Sequence, residues 1–130
     1  MAVAEQLHGL VFETFTTHEI QERFERHEIV LIDVRTPQEY AFEHIPGAML
    51  FPMASFDPRK LPMQAEKPIV LYCGSGRRSR LIAEKCIRAG IDRIAHMEGG
   101  INAWKAAGLA YVSIDPATGG YVHNLSTRED

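Results

Sequence analysis

The sequence predicts an α/β protein in which three layers, α/β/α, enclose a mainly parallel sheet of about five strands. Short apolar runs typical of strands buried on both faces, such as 29–32 and 69–72, recur along the chain. Segments with helix-start signals and apolar residues at helical spacing alternate with these runs. Because parallel strands must be joined by crossovers, which are usually helices, this alternation favours a parallel sheet.

Two capping boxes mark helix starts in the first half of the chain. Thr16 precedes Glu19, and Thr36 precedes Glu39, at the spacing that lets each side chain satisfy a backbone N–H near the other. Pro37 also suits the first position of a helix. The strands expected before these helices cover 11–15 and 29–32, and a brief strand is expected around 49–53.

The second half of the chain repeats the strand-helix pattern. Strand 69–72 leads through a glycine-rich loop into a helix that Gly90 should end, since glycine readily adopts the left-handed conformation there. Strand 93–97 leads through a Gly-Gly pair into a shorter helix, which Gly108 should end.

Length and composition favour a single domain with two short extensions. The chain has 130 residues, of which 45% are hydrophobic and 24% are charged, as expected of a globular protein with one core. We predict a domain over 10–114, an N-terminal arm over 1–9 and a C-terminal tail over 115–130, which has no periodic pattern.

Charge and cysteine content argue against several partners and locations. The formal net charge is −3 and the pI is about 6.1, so neither nucleic acid nor a membrane surface is an expected partner. The sequence has no apolar stretch of the length that a signal peptide or a transmembrane helix needs. Two cysteines are too few for a disulfide framework, so we expect a reducing, cytoplasmic location. The histidines lack ligand spacing, and no metal is expected.

The loop after strand 69–72 has the features of an anion site. Cys73 precedes two glycines that bracket Ser75, and a helix follows, so backbone N–H groups and a positive helix end should converge. Three arginines lie in the first helical turn, where cations are disfavoured by about 0.3–1 kcal/mol each, which indicates a negative group nearby. A thiol placed there should ionise easily. The alternative is a surface turn with an inert, buried cysteine and solvated arginines.

The segment Cys73-Gly-Ser-Gly-Arg-Arg-Ser79 resembles the active-site loop of single-domain rhodanese-type sulfurtransferases, which follows C-x-x-G-x-R-S. Flanking blocks resemble the same family: Leu31-Ile-Asp-Val-Arg35 and His44-Ile-Pro-Gly-Ala48 upstream, and Glu98-Gly-Gly-Ile-Asn-Ala-Trp104 downstream. The resemblance covers roughly residues 15–109 and implies a rhodanese-like α/β fold.

The resemblance implies sulfur transfer through a persulfide on Cys73, without a cofactor. The thiolate would take the sulfane sulfur of a small anionic donor (thiosulfate, mercaptopyruvate or a persulfide) and pass it to cyanide, a thiol or a protein. Asp33 would pair with Arg78 to hold the loop, and Arg35 would support it as an ion-pair or hydrogen-bond partner. Either Arg77 or Arg78 would steer the donor. The loop residues expected to bind the anion are Gly74, Ser75, Gly76, Arg77, Arg78 and Ser79.

Three further residues receive structural interpretations. Glu39 is expected to act in its capping box, and His44 as a hydrogen-bonded turn residue. Cys86 lies near the far end of the predicted helix from Cys73, too far for a disulfide, and is expected to fill the core.

Two other functions fit the same loop. One is a cysteine phosphatase or arsenate reductase, because cell-cycle phosphatases share the fold of this family and also use a loop cysteine. Phosphatases need C-x5-R, however, and the required arginine position holds Ser79. Arg78 gives C-x4-R, a smaller ring that should fit one sulfur atom better than a phosphoryl group. The other alternative is a non-enzymatic carrier in which Cys73 hands sulfur to a protein partner.

Overall fold

The computed structural model describes residues 3–7, 10–62, 64 and 67–126. Within these residues the strands are β1 (Val3–Leu7), β2 (Leu10–Phe15), β3 (Val30–Asp33), β4 (Glu43–His44), β5 (Met49–Leu50), β6 (Ile69–Tyr72), β7 (Arg93–Met97), β8 (Tyr111–Ile114) and β9 (Tyr121–Asn124). The helices are α1 (Thr17–Glu25), α2 (Pro37–Phe42), α3 (Arg77–Arg88) and α4 (Gly100–Ala106), and short 3-10 helices cover Met53–Ser55 and Pro58–Lys60.

The main sheet has the strand order β1-β2-β7-β6-β3-β5. The five strands from β2 to β5 in this order are parallel, and β1 joins the edge antiparallel to β2. The predicted α/β fold with a mainly parallel sheet of about five strands is therefore confirmed. A separate antiparallel sheet has the order β4-β8-β9. Because β3, β6 and β7 are parallel neighbours, the loops at their carboxyl ends meet at one edge.

Apolar side chains fill both faces of the main sheet. All four residues of β6 are buried, as its continuous apolar run predicts. On one face, Ile20 of α1 and Trp104 of α4 pack in a cluster with Tyr72. On the other face, Ile82 of α3 packs in a cluster with Leu71. Each such buried side chain stabilises the fold by roughly 1.5–3 kcal/mol, and together they fix the two helical layers against the sheet.

The helix boundaries follow the capping signals. Thr16 accepts a hydrogen bond from the Glu19 N–H before α1, and Thr36 accepts one from the Glu39 N–H before α2, so both capping boxes are confirmed. Gly90 follows α3 with a φ of 92°, which is the left-handed conformation predicted for it.

The structure differs from the sequence predictions in three segments. The strand expected at 49–53 is confined to Met49–Leu50. The N–H groups of Phe51 and Met53 still donate to the carbonyls of Asp33 and Val34, both at 2.9 Å, but a 3-10 helix begins at Met53. Within the arm expected at 1–9, β1 pairs with β2. Within the tail expected at 115–130, β9 pairs with β8. Backbone pairing with a neighbouring strand orders β1 and β9, and such pairing does not appear in the sequence as hydrophobic periodicity. The division into arm, domain and tail stays a prediction.

Candidate active site

The loop that carries Cys73 connects the end of β6 to the start of α3. Gly76, the residue before α3, has a φ of 98°, a left-handed conformation that glycine adopts without strain. This turn brings the Gly76 N–H to 3.1 Å from the Cys73 sulfur. Gly74 is partly exposed, and Ser75 and Arg77 are exposed. The loop therefore has the strand-loop-helix form that the sequence predicts.

A second loop, between β7 and α4, holds the cysteine loop in place. The N–H of Ile101 donates to the Cys73 carbonyl at 2.8 Å, and the N–H of Asn102 donates to the Gly74 carbonyl at 3.0 Å. Gly100 has a φ of 58°, and a Cβ at this position would overlap the Cys73 carbonyl oxygen and the Gly74 backbone. The close approach of the two loops therefore requires glycine at position 100.

Backbone N–H groups surround the Cys73 thiol. The residue is only 1% exposed, and its sulfur lies 3.6 Å from the hydroxyl oxygen of Ser79. Burial raises the pKa of the thiol. Hydrogen bonds from the backbone and side chain of Ser79 and from the N–H groups of Gly76 and Ser75 lower the pKa by more than burial raises it. The pKa of Cys73 therefore lies below its ordinary value, which favours the nucleophilic thiolate.

A buried hydrogen-bonded pair lies behind the thiol. Ser79 is fully buried in the first turn of α3, and its hydroxyl donates to the Gly76 carbonyl at 3.2 Å. The same hydroxyl oxygen lies 3.0 Å from Nδ1 of His96, a β7 residue that is 4% exposed. Ser79 thus contacts the sulfur on one side and an imidazole on the other.

The structure corrects the expected Asp33–Arg78 pair. Asp33 binds Arg35 instead: Nε lies 3.0 Å from Oδ1 and Nη2 lies 2.7 Å from Oδ2, and both side chains are buried. Arg78 donates to both carboxylate oxygens of Glu39, at 2.7 and 2.9 Å. The reason is position, because Arg35 follows β3 closely and folds back onto Asp33, whereas Arg78 lies at the rim beside α2.

The rim of the site has a mixed charge. The hydrogen bonds from Arg78 outweigh partial burial and hold the pKa of Glu39 down to about 2, so this carboxylate is ionised at neutral pH. Arg80 pairs with Glu84 one turn along α3. Arg77 is exposed and makes no ion pair within the described part of the chain. Of the three loop arginines, Arg77 therefore carries the charge that is least neutralised by a carboxylate.

A cavity of about 330 Å³ lies over the cysteine loop. Its lining includes the carboxylates of Glu39 and Glu43, the guanidinium of Arg78, the exposed ring of Phe42 and the loop residue Ser75. A larger cavity of about 570 Å³ lies at the amino-terminal ends of β6 and β7, away from the thiol. Of these two cavities, the smaller one borders the cysteine loop.

Two other residues have the structural roles predicted for them. Cys86 is fully buried in the cluster beneath α3, and burial raises the pKa of its thiol to about 12, so it remains a neutral core residue. His44 donates from Nδ1 to the Tyr40 carbonyl at 2.8 Å and stacks on the Tyr40 ring. Both cysteines are free thiols.

Neither a metal centre nor a membrane span is found in the described ranges. Three or more His, Cys, Asp or Glu side chains are nowhere grouped there in a way that could hold a metal ion. The helices in the same ranges are too short or too polar to cross a bilayer. Fold and site together define an α/β protein with a buried thiol held among backbone N–H groups at the carboxyl end of a parallel sheet.

The chain belongs to the rhodanese-like domain family, whose sequence profile matches residues 16–107. A protein of Allochromatium vinosum named sulfurtransferase is 35% identical over 66% of this chain and 80% of its own length. The thiosulfate sulfurtransferase GlpE of Pseudoalteromonas translucida is 26% identical over 75% of this chain and 93% of its own length. An uncharacterized protein of Synechocystis is 38% identical over 76% of this chain, and the match spans 55% of that relative's length. The family match and the two relatives named as sulfurtransferases support sulfurtransferase chemistry at the level of the family.

Solved structures agree with the fold. A rhodanese-related protein of Thermoplasma volcanium superposes with a TM-score of 0.63 at 24% identity, covering 76% of this chain and 96% of its own. A protein of Rhodopseudomonas palustris, described as of unknown function and a possible tyrosine phosphatase, superposes with a TM-score of 0.63 at 32% identity, covering 73% and 80%.

Sequence reasoning missed two contacts of the site. The contact between Ser79 and His96 joins residues of α3 and β7, and no local motif marks it. The alternation of side chain direction along β7 is the signal that could have indicated this contact. It places His96 on the same face of the strand as Ile94, which packs against α3. The pairing of Glu39 with Arg78 was missed because the capping box already explained the glutamate.

Proposed function

We propose that this protein transfers a sulfane sulfur from thiosulfate or a related anionic donor to a thiophilic acceptor through a persulfide on Cys73. The observation that carries the proposal is the position of Cys73, in a cradle of N–H groups that lowers the pKa of its thiol. The loop belongs to a family with named sulfurtransferases. A reducing compartment suits the reaction, because Cys73 must start as a free thiol.

The reaction has two displacement steps. The Cys73 thiolate attacks the outer sulfur of thiosulfate, the sulfur–sulfur bond of the donor breaks, and sulfite leaves with the electron pair. Cyanide or a thiolate then attacks the outer sulfur of the persulfide, and the Cys73 thiolate is regenerated as the leaving group. No oxidant or reductant is needed, because the sulfane sulfur is only passed between nucleophiles.

The N–H cradle supplies the main electrostatic stabilisation. The N–H groups of Ser75, Gly76 and Ser79 act on the sulfur of Cys73, and a persulfide anion formed there would lie in the same cradle. Arg77 is the arginine that we propose to steer the anionic donor, because Arg78 is engaged by Glu39.

The ring size argues against phosphoryl transfer. The loop from Cys73 to Arg78 is one residue shorter than the C-x5-R loop of cysteine phosphatases, and the residue at the phosphatase arginine position is Ser79. Arg78 is also bound to Glu39, so it is not free to close a ring around three phosphoryl oxygens. A single sulfur atom makes smaller demands on this loop, which favours sulfur transfer.

Steady-state turnover distinguishes the three candidate functions. We expect thiosulfate:cyanide transfer to exceed hydrolysis of p-nitrophenyl phosphate in wild-type protein, and Cys73→Ser to abolish transfer. Cys86→Ser, which changes a core thiol of the same type, should keep near-normal turnover. A phosphatase rate above the transfer rate would favour the phosphatase. A persulfide that forms once without turnover on thiosulfate, mercaptopyruvate or glutathione persulfide would favour a carrier.

A further inference from the structure

Three polar side chains form a continuous buried chain behind the active-site loop. Cys73, Ser79 and His96 are 1%, 0% and 4% exposed. The sulfur lies 3.6 Å from the Ser79 oxygen, which lies 3.0 Å from Nδ1 of His96. Their surroundings are apolar: the Phe12 ring lies 5.5 Å from the imidazole, and Ile94 is fully buried on the same face of β7. Burying polar groups in an apolar layer costs free energy, so some structural or chemical role must offset the cost of this hydrogen-bonded chain.

The need of the Ser79 hydroxyl for a hydrogen-bond partner does not explain why a histidine is buried at position 96. The hydroxyl already has a partner within its own turn, the Gly76 carbonyl at 3.2 Å. An apolar side chain at position 96 would therefore leave Ser79 with a hydrogen bond and would fit the surrounding layer. The imidazole adds a different property: among the described groups that contact this hydroxyl, it is the one that can take up an extra proton near neutral pH.

The direction of proton movement follows from the chemistry of the contacts. The sulfur is contacted by the Gly76 N–H, which can only donate, and by the Ser79 hydroxyl, which can donate and accept. The hydroxyl can take the thiol proton only if it passes its own proton on. The Gly76 carbonyl cannot hold a proton, whereas an imidazole nitrogen, with an ordinary pKa of about 6.5, can.

We propose that His96 receives, through the hydroxyl of Ser79, the proton that Cys73 loses when it becomes a thiolate. The hydroxyl proton of Ser79 first turns from the Gly76 carbonyl to Nδ1 of His96. The S–H bond of Cys73 then breaks as a new O–H bond forms on Ser79, and the original O–H proton of Ser79 moves to Nδ1 of His96. The products are a thiolate and an imidazolium, so charge and electrons balance without another reactant. The imidazolium then donates to the Ser79 oxygen, and the Ser79 hydroxyl donates to the thiolate.

The other groups around His96 permit this pairing. The facing residues of β2, Phe12 and Thr14, are uncharged, and the α3 thiol of Cys86 is neutral because burial raises its pKa to about 12. Arg80 of α3 also lies near this layer, with its guanidinium carbon 5.0 Å from the centroid of the Phe12 ring, and it is paired with Glu84. A thiolate joined to His96 through Ser79 supplies the negative charge that stabilises an imidazolium, so His96 should hold its proton chiefly when the thiolate is present.

The inference rests on the proposed function in taking Cys73 as the nucleophile, and it makes His96 a positioning residue that acts through Ser79.

The test measures the rate of Cys73 alkylation by iodoacetamide against pH, using peptide mass to separate Cys73 from Cys86. His96→Asn is the informative variant, because its amide can still hydrogen-bond Ser79 near the Nδ1 position but cannot accept a proton. His123→Asn, at an exposed site on β9, is the matched control.

We expect His96→Asn to move the alkylation midpoint up by about one pH unit, which is about tenfold slower alkylation below the midpoint. His123→Asn should not move it. Ser79→Ala should move it at least as far, and adding His96→Asn to Ser79→Ala should change nothing more, because the two residues act as a unit. An unchanged midpoint in His96→Asn, or additive shifts in the double variant, would overturn the proposal.

A second measurement does not depend on the folding of His96 variants. Nitrogen-15 NMR of the imidazole should show His96 protonated in wild-type protein at a pH where Cys73 is a thiolate, and neutral in Cys73→Ser at the same pH. The same protonation state in both proteins would refute the relay. Neither the alkylation assay nor the NMR measurement uses a sulfur donor. If both give the expected results but the protein transfers no sulfur, the proposed function is refuted and the relay is not. Sulfur transfer with an unmoved titration would refute the relay alone.

Discussion

Glu39→Gln should increase the use of thiosulfate. Glu39 binds both terminal nitrogens of Arg78 at the mouth of the site, so its carboxylate competes with an anionic donor for this arginine. Glutamine is the other residue that completes a capping box, so the variant should keep the hydrogen bonds with Thr36 and the start of α2. The substitution therefore removes one negative charge with little change of shape.

The size of the effect follows from the charge removed. The wild-type carboxylate is ionised at neutral pH, because the hydrogen bonds of Arg78 hold the pKa of Glu39 down to about 2. A dianion about 6 Å from a carboxylate is repelled by about 1.4 kcal/mol in water-like screening, which is a factor of about ten. The two side chains are 37% and 35% exposed, so water screening is the appropriate choice. We expect kcat/KM for thiosulfate to rise about tenfold.

The assay is thiosulfate:cyanide transfer at two ionic strengths. The gain of Glu39→Gln should shrink in 1 M salt, where the Debye length is about 3 Å. A matched variant, Glu84→Gln, removes the carboxylate that pairs with Arg80 on the exposed side of α3 and should have a much smaller effect. If Glu39→Gln instead lowers kcat/KM for thiosulfate, then Glu39 serves to position Arg78 for the donor and the competition argument is wrong.

Two further substitutions and one insertion test the loop and its supports. Asp33→Asn should destabilise the protein by about 3–5 kcal/mol in denaturant unfolding, because it leaves the buried Arg35 guanidinium without its carboxylate, and a loss below 1 kcal/mol would contradict this. Gly100→Ala should cut sulfur transfer by about a hundredfold by displacing the cysteine loop. The control Gly90→Ala, also at positive φ but without a neighbour within 4 Å, should keep its kcat, and equal losses in the two would refute the steric argument. Inserting one residue between Gly76 and Arg78 should reduce sulfur transfer and permit some phosphatase activity, and unchanged transfer would show that ring size is not decisive.

The sequence predicted the elements that local physics determines. The apolar run at 69–72 is a strand with the predicted bounds. A strand buried on both faces is continuously apolar, so its first and last residues can be located from where the apolar run begins and ends. The capping boxes located the starts of α1 and α2, since the N-cap and N3 side chains are close in sequence. The lowered pKa of Cys73 was also expected, although hydrogen bonds from the loop account for it more than the arginines do.

The features that sequence reasoning missed are contacts between distant elements. Asp33 was predicted to pair with Arg78, and its actual pairing with Arg35 depends on how far each arginine lies from the end of β3 in the folded chain. β1 and β9 are ordered by backbone pairing, which leaves little trace in composition. The contact of Ser79 with His96 depends on the packing of α3 across β7. All of these contacts depend on how distant elements pack against one another, and this packing cannot be inferred from local patterns in a single sequence.

Intact-mass analysis after incubation with thiosulfate tests most directly whether Cys73 carries the transferred sulfur. We expect the mass to rise by one sulfur atom, the increase to map to the peptide containing Cys73, and cyanide to remove it with release of thiocyanate. Cys86→Ser should acquire the same increase, since its missing thiol lies in the core, and Cys73→Ser should acquire none. A sulfur atom found on Cys86, or transfer to cyanide that persists in Cys73→Ser, would contradict the account.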